Sequence, residues 1–280
     1  MSANSSDLRV TQLIIYPVKG LAGQPCENVD VLKRGLAWDR RWMLVDHHHQ
    51  FLSQRQIPRL VTIQARVVGA ELGLIHRPTG AQLFLPIEQP DTASKIQVTI
   101  WKDQVEAVVV PDAAEWFSDL LHHGCQLVFM PESTRRSINP VFARPGEIVS
   151  FADAYPVLLI GEASLSELNT RLNDPVPIDR FRPNIVVSAG EPFAEDQWGE
   201  LEIGTAKLRG VKASDRCSVP TIDQVSGEPV GPEPIRTLSQ FRRIGKNVYF
   251  GQNTAVTHPG RITLNDRVIV KGRIAAVYPQ

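Results

Sequence analysis

The chain has 280 residues, of which 42% are hydrophobic, and its 30 basic and 30 acidic side chains leave a formal net charge of zero. A chain of this length and composition is expected to bury a substantial core and to form one large domain or two smaller ones. The balanced charge excludes an overall positive field for nucleic acid or an anionic membrane. We therefore expect neither as a partner, and any anion site must be local.

Residues 1–6 are small and polar, and no apolar run approaches the ~20 residues that a membrane-spanning helix needs. With no sign of a secretion signal, we expect a cytoplasmic protein. The three cysteines are then expected to be reduced thiols rather than a disulfide framework. Cys26 is expected in a loop, and Cys125 as a small buried thiol.

The first part of the chain is predicted to consist of strands, because β-branched residues are concentrated in short runs between turn residues. These runs are residues 8–18, 41–45, 61–68, 72–77, 81–85, 96–101 and 105–110. The turn residues Pro78-Thr79-Gly80 and Lys102-Asp103 stand at hairpin spacing. They predict a locally connected antiparallel sheet in a barrel or a sandwich.

Two helices are expected among the strands. Residues 113–123 carry an apolar stripe and follow Asp112, which is expected to cap the helix in a box with Glu115. Residues 162–172 repeat leucine at helical spacing. Further strands are predicted at residues 126–130, 185–187, 201–203, 207–211, 248–250 and 261–270.

The predicted fold class is therefore mainly β, of the α+β kind, with few helices. A soft boundary is placed near residues 124–130. No linker rich in glycine, serine or charge marks it, so the two parts are expected to pack tightly together.

Cys217 is the cysteine with charged neighbours, in the run Asp215-Arg216-Cys217. A thiolate is a ligand for soft metals, and Arg216 favours the thiolate whereas Asp215 opposes it. We expect the thiol in a loop that follows a strand ending near Val211. By itself, Cys217 is more simply interpreted as a buried structural thiol than as a metal ligand.

Arg180, Arg182 and Asn184 alternate with apolar residues just before the strand at residues 185–187. Alternate side chains of an extended chain share one face, so these polar groups are expected to point the same way. Two guanidinium forks and an amide suit a phosphate and the edge of a heterocycle. The alternative is a solvated edge strand with salt bridges.

Lys19 and Gly20 end the first predicted strand, where the backbone can approach a ligand closely. The lysine is a candidate phosphate clamp or Schiff-base amine, or else an ordinary surface lysine. The run His47-His48-His49 is predicted as a hairpin tip rather than a metal site, because consecutive side chains point in different directions.

Five segments stand in order along the chain: Ile15-Tyr-Pro-Val-Lys-Gly20, Asp39-Arg-Arg-Trp42, Ser53-Gln-Arg-Gln-Ile-Pro-Arg59, Phe181-Arg-Pro-Asn184 and Asp215-Arg-Cys217. Together they resemble the MOSC family, the molybdenum cofactor sulfurase C-terminal-like proteins. The resemblance implies an N-terminal β-barrel domain at residues 7–125, packed on a MOSC β-barrel domain at residues 126–278. It also implies molybdopterin-bound molybdenum between the two domains.

The resemblance further implies which residues form the site. Cys217 matches the cysteine that ligates molybdenum, so it is the predicted metal ligand and catalytic residue. The positions that match contacts to the cofactor are Lys19, Arg40, Asp153, Arg182, Asn184 and Arg216. Gly20 and Asp215, also predicted cofactor contacts, stand where relatives often have serine. The Asp215 carboxylate is expected to pair with Arg216 or to repel the metal centre.

The implied activity is a two-electron reduction of N-hydroxylated compounds, such as amidoximes, hydroxylamines and N-hydroxylated bases. The chain ends without a four-cysteine cluster motif, so we expect electrons from a separate ferredoxin, flavin reductase or haem protein. Two alternatives stay open. One is a non-catalytic carrier of molybdopterin or sulfur. The other is a pyridoxal phosphate Schiff base on Lys19, a cofactor that we do not expect.

Overall fold

The structure is a computed structural model, and it describes residues 8–90, 93–188 and 190–278. Residues 1–6, on which the prediction about a secretion signal rests, lie outside the described residues. Strands account for 42% of the structure, and the helices are few. The predicted mainly β fold class is therefore confirmed.

The strands extend along the whole described chain. They are β1 Val10–Ile15, β2 Gln24–Cys26, β3 Asn28–Leu32, β4 Gly35–Leu36, β5 Trp42–Val45, β6 Ile63–Val68, β7 Glu71–His76, β8 Gln82–Pro86, β9 Lys95–Ile100, β10 Asp103–Val110, β11 Gln126–Phe129, β12 Val157–Gly161, β13 Ile185–Val187, β14 Trp198–Ile203, β15 Ala206–Asp215, β16 Arg243–Ile244, β17 Asn247–His258, β18 Gly260–Thr263 and β19 Val268–Arg273.

The α-helices are short: α1 Ala114–Leu121, α2 Glu162–Asn169 and α3 Ile235–Phe241. Across residues 8–90, 93–188 and 190–278, none of the helices has the length and apolar character needed to cross a membrane.

One large sheet dominates the fold, with the strand order β19-β14-β15-β17-β12-β13-β1-β2 and β16 paired to β17. The amino-terminal strand β1 runs antiparallel to β13, with Leu13 opposite Ile185. Strand β18 similarly joins β3 and β4 in a three-stranded sheet. Both sheets thus contain strands from before and from after the predicted domain boundary between residues 125 and 126. That boundary stays a prediction.

The first part of the chain forms two smaller sheets, β5-β11-β10-β9 and β6-β7-β8. Trp42, Leu44, Leu60 and Phe117 are fully or almost fully buried between these sheets and α1. A second core lies against the large sheet. Each sheet therefore buries an apolar face, which is the ordinary source of stability for antiparallel strands.

Both predicted hairpins are present. Strands β7 and β8 pair around Pro78-Thr79-Gly80, and β9 and β10 pair with Ile100 opposite Asp103. The predicted cap of α1 is wrong. Pro111–Ala113 forms a turn of 3-10 helix, so α1 begins at Ala114 after Ala113, without a side-chain hydrogen bond at the cap.

Several predicted strand limits also differ. Residues 261–270 form two strands, because Asn265 adopts a left-handed conformation with φ 69° between β18 and β19. Cys26 belongs to β2 rather than to a loop. The strand predicted at residues 207–211 is longer in the structure, because β15 extends to Asp215. Strand β15, rather than the expected loop, therefore occupies the residues between Val211 and Asp215.

Gly210 is the glycine whose replacement the large sheet should tolerate least. A Cβ there would lie 1.9 Å from the carbonyl oxygen of Trp198. Gly272, in strand β19 on the other side of β14, has no atom within 4 Å of an equivalent Cβ. The two positions make a matched pair, because both lie in strands of one sheet and neither has a positive φ.

We predict that Gly210→Ala lowers the free energy of unfolding by about 1–3 kcal/mol, because the strands must move apart. Gly272→Ala should raise it by up to ~1 kcal/mol, since alanine loses less backbone entropy in a strand. Chemical denaturation of both variants measures the two effects. Equal stability of the two variants would contradict the close packing of β15 on β14.

Candidate functional site

A cavity of about 1190 Å³ opens between the two parts of the chain. Its volume exceeds the range of roughly 300–1,000 Å³ usual for small-molecule pockets, so it can hold a large cofactor beside a substrate. All nine predicted site residues line this cavity: Lys19, Gly20, Arg40, Asp153, Arg182, Asn184, Asp215, Arg216 and Cys217. The structure brings these residues together, while their individual roles stay predictions.

Strand ends and the turns next to them supply these residues. Lys19 and Gly20 follow β1, and Arg40 precedes β5 with a left-handed φ of 48°. Asp215 ends β15, which carries the chain directly to Arg216 and Cys217. The rigid sheets thus hold side chains that are separated by up to two hundred residues in sequence.

Arg180, Arg182 and Asn184 do not share one extended face, and that prediction is wrong. Ile178–Phe181 is a short 3-10 helix, and Arg182 has a left-handed φ of 56°. Arg180 therefore points away from the cavity, donating from Nε to the Pro220 carbonyl and lying 3.7 Å from Asp223. Arg182 and Asn184 both reach the cavity.

Tyr16 lies between two of the cavity arginines. The guanidinium carbons of Arg40 and Arg182 are each 4.2 Å from its ring centroid. Burial raises the pKa of Tyr16 to about 12, although both arginines oppose the rise. Its neutral phenol donates to the Pro183 carbonyl at 3.2 Å. The ring thus spaces two like charges and offers its π face to each.

Asn184 is 1% exposed, and its amide is satisfied inside the protein. Its Nδ2 donates to the Ile14 carbonyl and to Asp39, each at 3.0 Å. Its Oδ1 accepts from Arg40 Nη1 at 3.0 Å and from the Leu158 backbone N–H at 3.2 Å. This geometry makes Asn184 a residue that orients Arg40.

Lys19 forms an ion pair with Asp153 at the cavity wall. Burial lowers the pKa of Lys19, and the Asp153 carboxylate opposes that change. Trp101 also donates from Nε1 to Asp153 at 3.3 Å. The Lys19 side chain is 9% exposed and that of Asp153 is 65% exposed, so the carboxylate is the accessible half of the pair.

Arg182 and Arg216 form no ion pair with a carboxylate of residues 8–90, 93–188 or 190–278. Arg182 donates to Gln224 at 3.3 Å and to the Leu21 carbonyl at 2.7 Å. Arg216 donates to Ser214 at 3.2 Å and to the Phe181 carbonyl at 2.8 Å.

These two arginines keep capacity for an anion. Burial lowers the pKa of Arg182 to about 10, and it also lowers that of Arg216. The Nε of Arg216 is buried without a hydrogen-bond partner. A buried donor of this kind is costly unless it is satisfied, so a bound phosphate would stabilise the site.

The Cys217 thiol is exposed and lines the cavity beside Arg216. In the part of the chain that the structure describes, no three His, Cys, Asp or Glu residues form a metal-binding group. One thiolate together with anion-binding arginines fits the metal and the phosphate of a molybdopterin cofactor.

Asp215 does not pair with Arg216. Its Oδ1 accepts from Lys212 Nζ at 2.5 Å, so the prediction of an Asp215–Arg216 pair is wrong. The sequence could not reveal this pair, because residues three apart in a regular strand point to opposite faces.

Two residues that shape the site were not predicted as site residues from the sequence. Arg136 is 4% exposed and donates to backbone carbonyls of the turn that carries Asp153, including that of Asp153 itself at 2.8 Å. Gln54 donates to the Gly20 carbonyl at 2.7 Å. Gln54 belongs to a segment of the family resemblance, whereas no sequence signal marked Arg136.

Comparisons with known proteins agree with the fold class. The MOSC N-terminal beta barrel domain matches residues 7–124, and the MOSC domain matches residues 146–269. Mitochondrial amidoxime-reducing component 1 of Homo sapiens is 34% identical, over 94% of this chain and 83% of that protein. Mitochondrial amidoxime reducing component 2 of Homo sapiens is 32% identical, over 83% and 72%.

A further relative is the molybdenum cofactor sulfurase of Oryza sativa subsp. japonica, which is 31% identical over 88% of this chain and 32% of that protein. Both domains of one family thus match in order, and the two human amidoxime-reducing components align with this chain over most of their own length. The chain belongs to the MOSC family, and its function is related to molybdenum.

Proposed function

We propose that this protein is a molybdenum-cofactor-dependent reductase of N-hydroxylated compounds such as amidoximes, hydroxylamines and N-hydroxylated bases. The observation that carries the proposal is the exposed Cys217 thiol in a cavity with two arginines that have no carboxylate partner among the described residues. The names of the amidoxime-reducing relatives support the reaction class. The net reaction takes up two electrons and two protons, breaks the N–O bond and releases water.

Different residues of the cavity would bind different parts of the cofactor. Cys217 would supply the protein's ligand to the metal, and Arg182 and Arg216 would bind the phosphate. Arg40, oriented by Asn184, would contact the pterin, as would Lys19 with Asp153. The two-electron chemistry itself is supplied by the cofactor when it is bound.

The electrons would come from a separate protein. The 280 residues contain three cysteines, one fewer than a four-cysteine iron-sulfur cluster requires. A ferredoxin, a flavin reductase or a haem protein would serve as the donor. We propose the cytoplasm as the place of the reaction, and fractionation of the producing cells tests that location.

A non-catalytic carrier of molybdopterin or sulfur is the second candidate. The match to part of a molybdenum cofactor sulfurase favours it, as does the exposure of the Cys217 thiol. Turnover separates the two candidates. A protein fully loaded with molybdenum that fails to reduce benzamidoxime with a reduced dye would be a carrier rather than a reductase.

We predict that Cys217→Ala keeps the fold and reduces benzamidoxime turnover to the background rate, because the exposed thiol is the proposed metal ligand. The matched control is Cys26→Ala, since Cys26 lies in β2 outside the cavity lining. Dye-coupled reduction of benzamidoxime and circular dichroism measure activity and fold. Normal turnover by a folded Cys217→Ala protein would exclude the ligand role.

We predict that Arg182→Gln weakens cofactor retention by about 10- to 100-fold, which corresponds to the ~1.5–3 kcal/mol of a hydrogen bond to a charged group. Arg236→Gln is the control, because Arg236 is a surface residue paired with Glu233. Molybdenum and pterin per chain are measured after purification from a molybdopterin-competent host. Equal occupancy in both variants would show that Arg182 does not bind the cofactor.

A further inference from the structure

The pair formed by Lys212 and Asp215 depends on irregular pairing of β15 with β17. The register shifts between Gly210 and Lys212, and again between Ala213 and Asp215. In a regular strand, residues three apart point to opposite faces. An irregularity such as a β-bulge shifts that alternation by one residue, so two side chains three apart can meet.

The two partners differ in their access to solvent. The Lys212 side chain is 11% exposed, and its ammonium lies 5.8 Å from the centroid of the Tyr155 ring. The Asp215 side chain is 54% exposed and lines the cavity, whereas Lys212 does not line it. Lys212 thus binds the carboxylate from behind the cavity wall.

Arg216 is the residue that this pairing affects. Asp215 is its direct neighbour, yet Asp215 bonds to Lys212 while Arg216 bonds to Ser214 and the Phe181 carbonyl. Because Asp215 directly precedes Arg216, its carboxylate charge acts on Arg216 even though the two side chains form no ion pair.

We propose that Lys212 is a positioning residue that neutralises Asp215 and thereby keeps Arg216 available for the anionic part of the cofactor. The inference rests on the proposed function, because it requires an anion in the cavity. An unpaired Asp215 would repel that anion and compete for Arg216. Lys212 thus compensates the charge of the Asp215 carboxylate, which lies next to Arg216 and Cys217 in the chain.

The test first removes the charge of Lys212 and then also removes the Asp215 carboxylate that this charge neutralises. Lys212→Met keeps the aliphatic stem and loses the ammonium. Lys207→Met is the matched control, because Lys207 lies in the same strand and pairs with Glu202 at 2.9 Å, outside the cavity lining. Lys212→Arg tests rescue by charge, and the double variant Lys212→Met with Asp215→Ser tests rescue by removal of the carboxylate.

Two readouts are measured for each variant. One is molybdenum and pterin per chain after purification from a molybdopterin-competent host. The other is the affinity of the cofactor-free protein for inorganic phosphate, by calorimetry at fixed salt. Thermal unfolding confirms that each variant is folded.

Lys212→Met should bind phosphate about tenfold more weakly, the scale expected when the effect of one unit charge a few ångströms away is screened by a water-like permittivity. Its cofactor occupancy should fall as well. The double variant, Lys212→Arg and Lys207→Met should each bind like the wild type. Asp215→Ser alone should bind phosphate at least as tightly as the wild type, because Lys212 then adds a free positive charge.

Two results would overturn the inference and leave the proposed function intact: wild-type affinity in Lys212→Met, or a double variant as weak as Lys212→Met. If Lys212→Met does not fold, Asp215→Ser alone decides, since weaker phosphate binding by that variant overturns the inference. A wild-type protein with neither cofactor nor phosphate affinity would overturn the proposed function together with the inference.

Discussion

The buried carboxylate of Asp39 joins the two parts of the chain beside the cavity. It is 1% exposed, and its Oδ1 accepts from the Tyr16 backbone N–H at 2.8 Å, from Arg40 at 2.7 Å and from Asn184 at 3.0 Å. Burial raises the pKa of Asp39, and Arg40 opposes that rise most strongly. A buried charge is tolerated only when it is paired and hydrogen-bonded in this way. The positions of Arg40 and Asn184 in the cavity therefore depend on one carboxylate.

The charges of the cavity follow a simple division. Arg40 and Lys19 have carboxylate partners in Asp39 and Asp153, so their charges are largely compensated within the protein. Arg182 and Arg216 bond to neutral oxygens instead. Arg40 and Lys19, which are compensated, form part of the cavity wall. Arg182 and Arg216 leave a net positive charge that a ligand can neutralise. A chain with zero net charge thus has a local excess of positive charge at these two arginines.

Local chemistry made parts of the fold predictable. Turn residues between β-branched runs located the hairpins β7-β8 and β9-β10, because both signals act over a few residues. The start of α1 was misplaced, because Pro111–Ala113 forms its own 3-10 turn before the helix. The pairing of β1 with β13 joins residues far apart in sequence, and no local pattern specifies such a partner.

The sequence by itself determined the residue types of the site and the family of the protein, because an ordered set of short motifs can be recognised without knowledge of the contacts between them. Only the tertiary structure decided which charges are compensated. Arg180 points away from the cavity because it lies in the 3-10 helix Ile178–Phe181, and Asp215 meets Lys212 because the pairing of β15 is irregular. Backbone conformation at single residues sets the direction of a side chain, and that conformation depends on the neighbouring strands rather than on the residue alone.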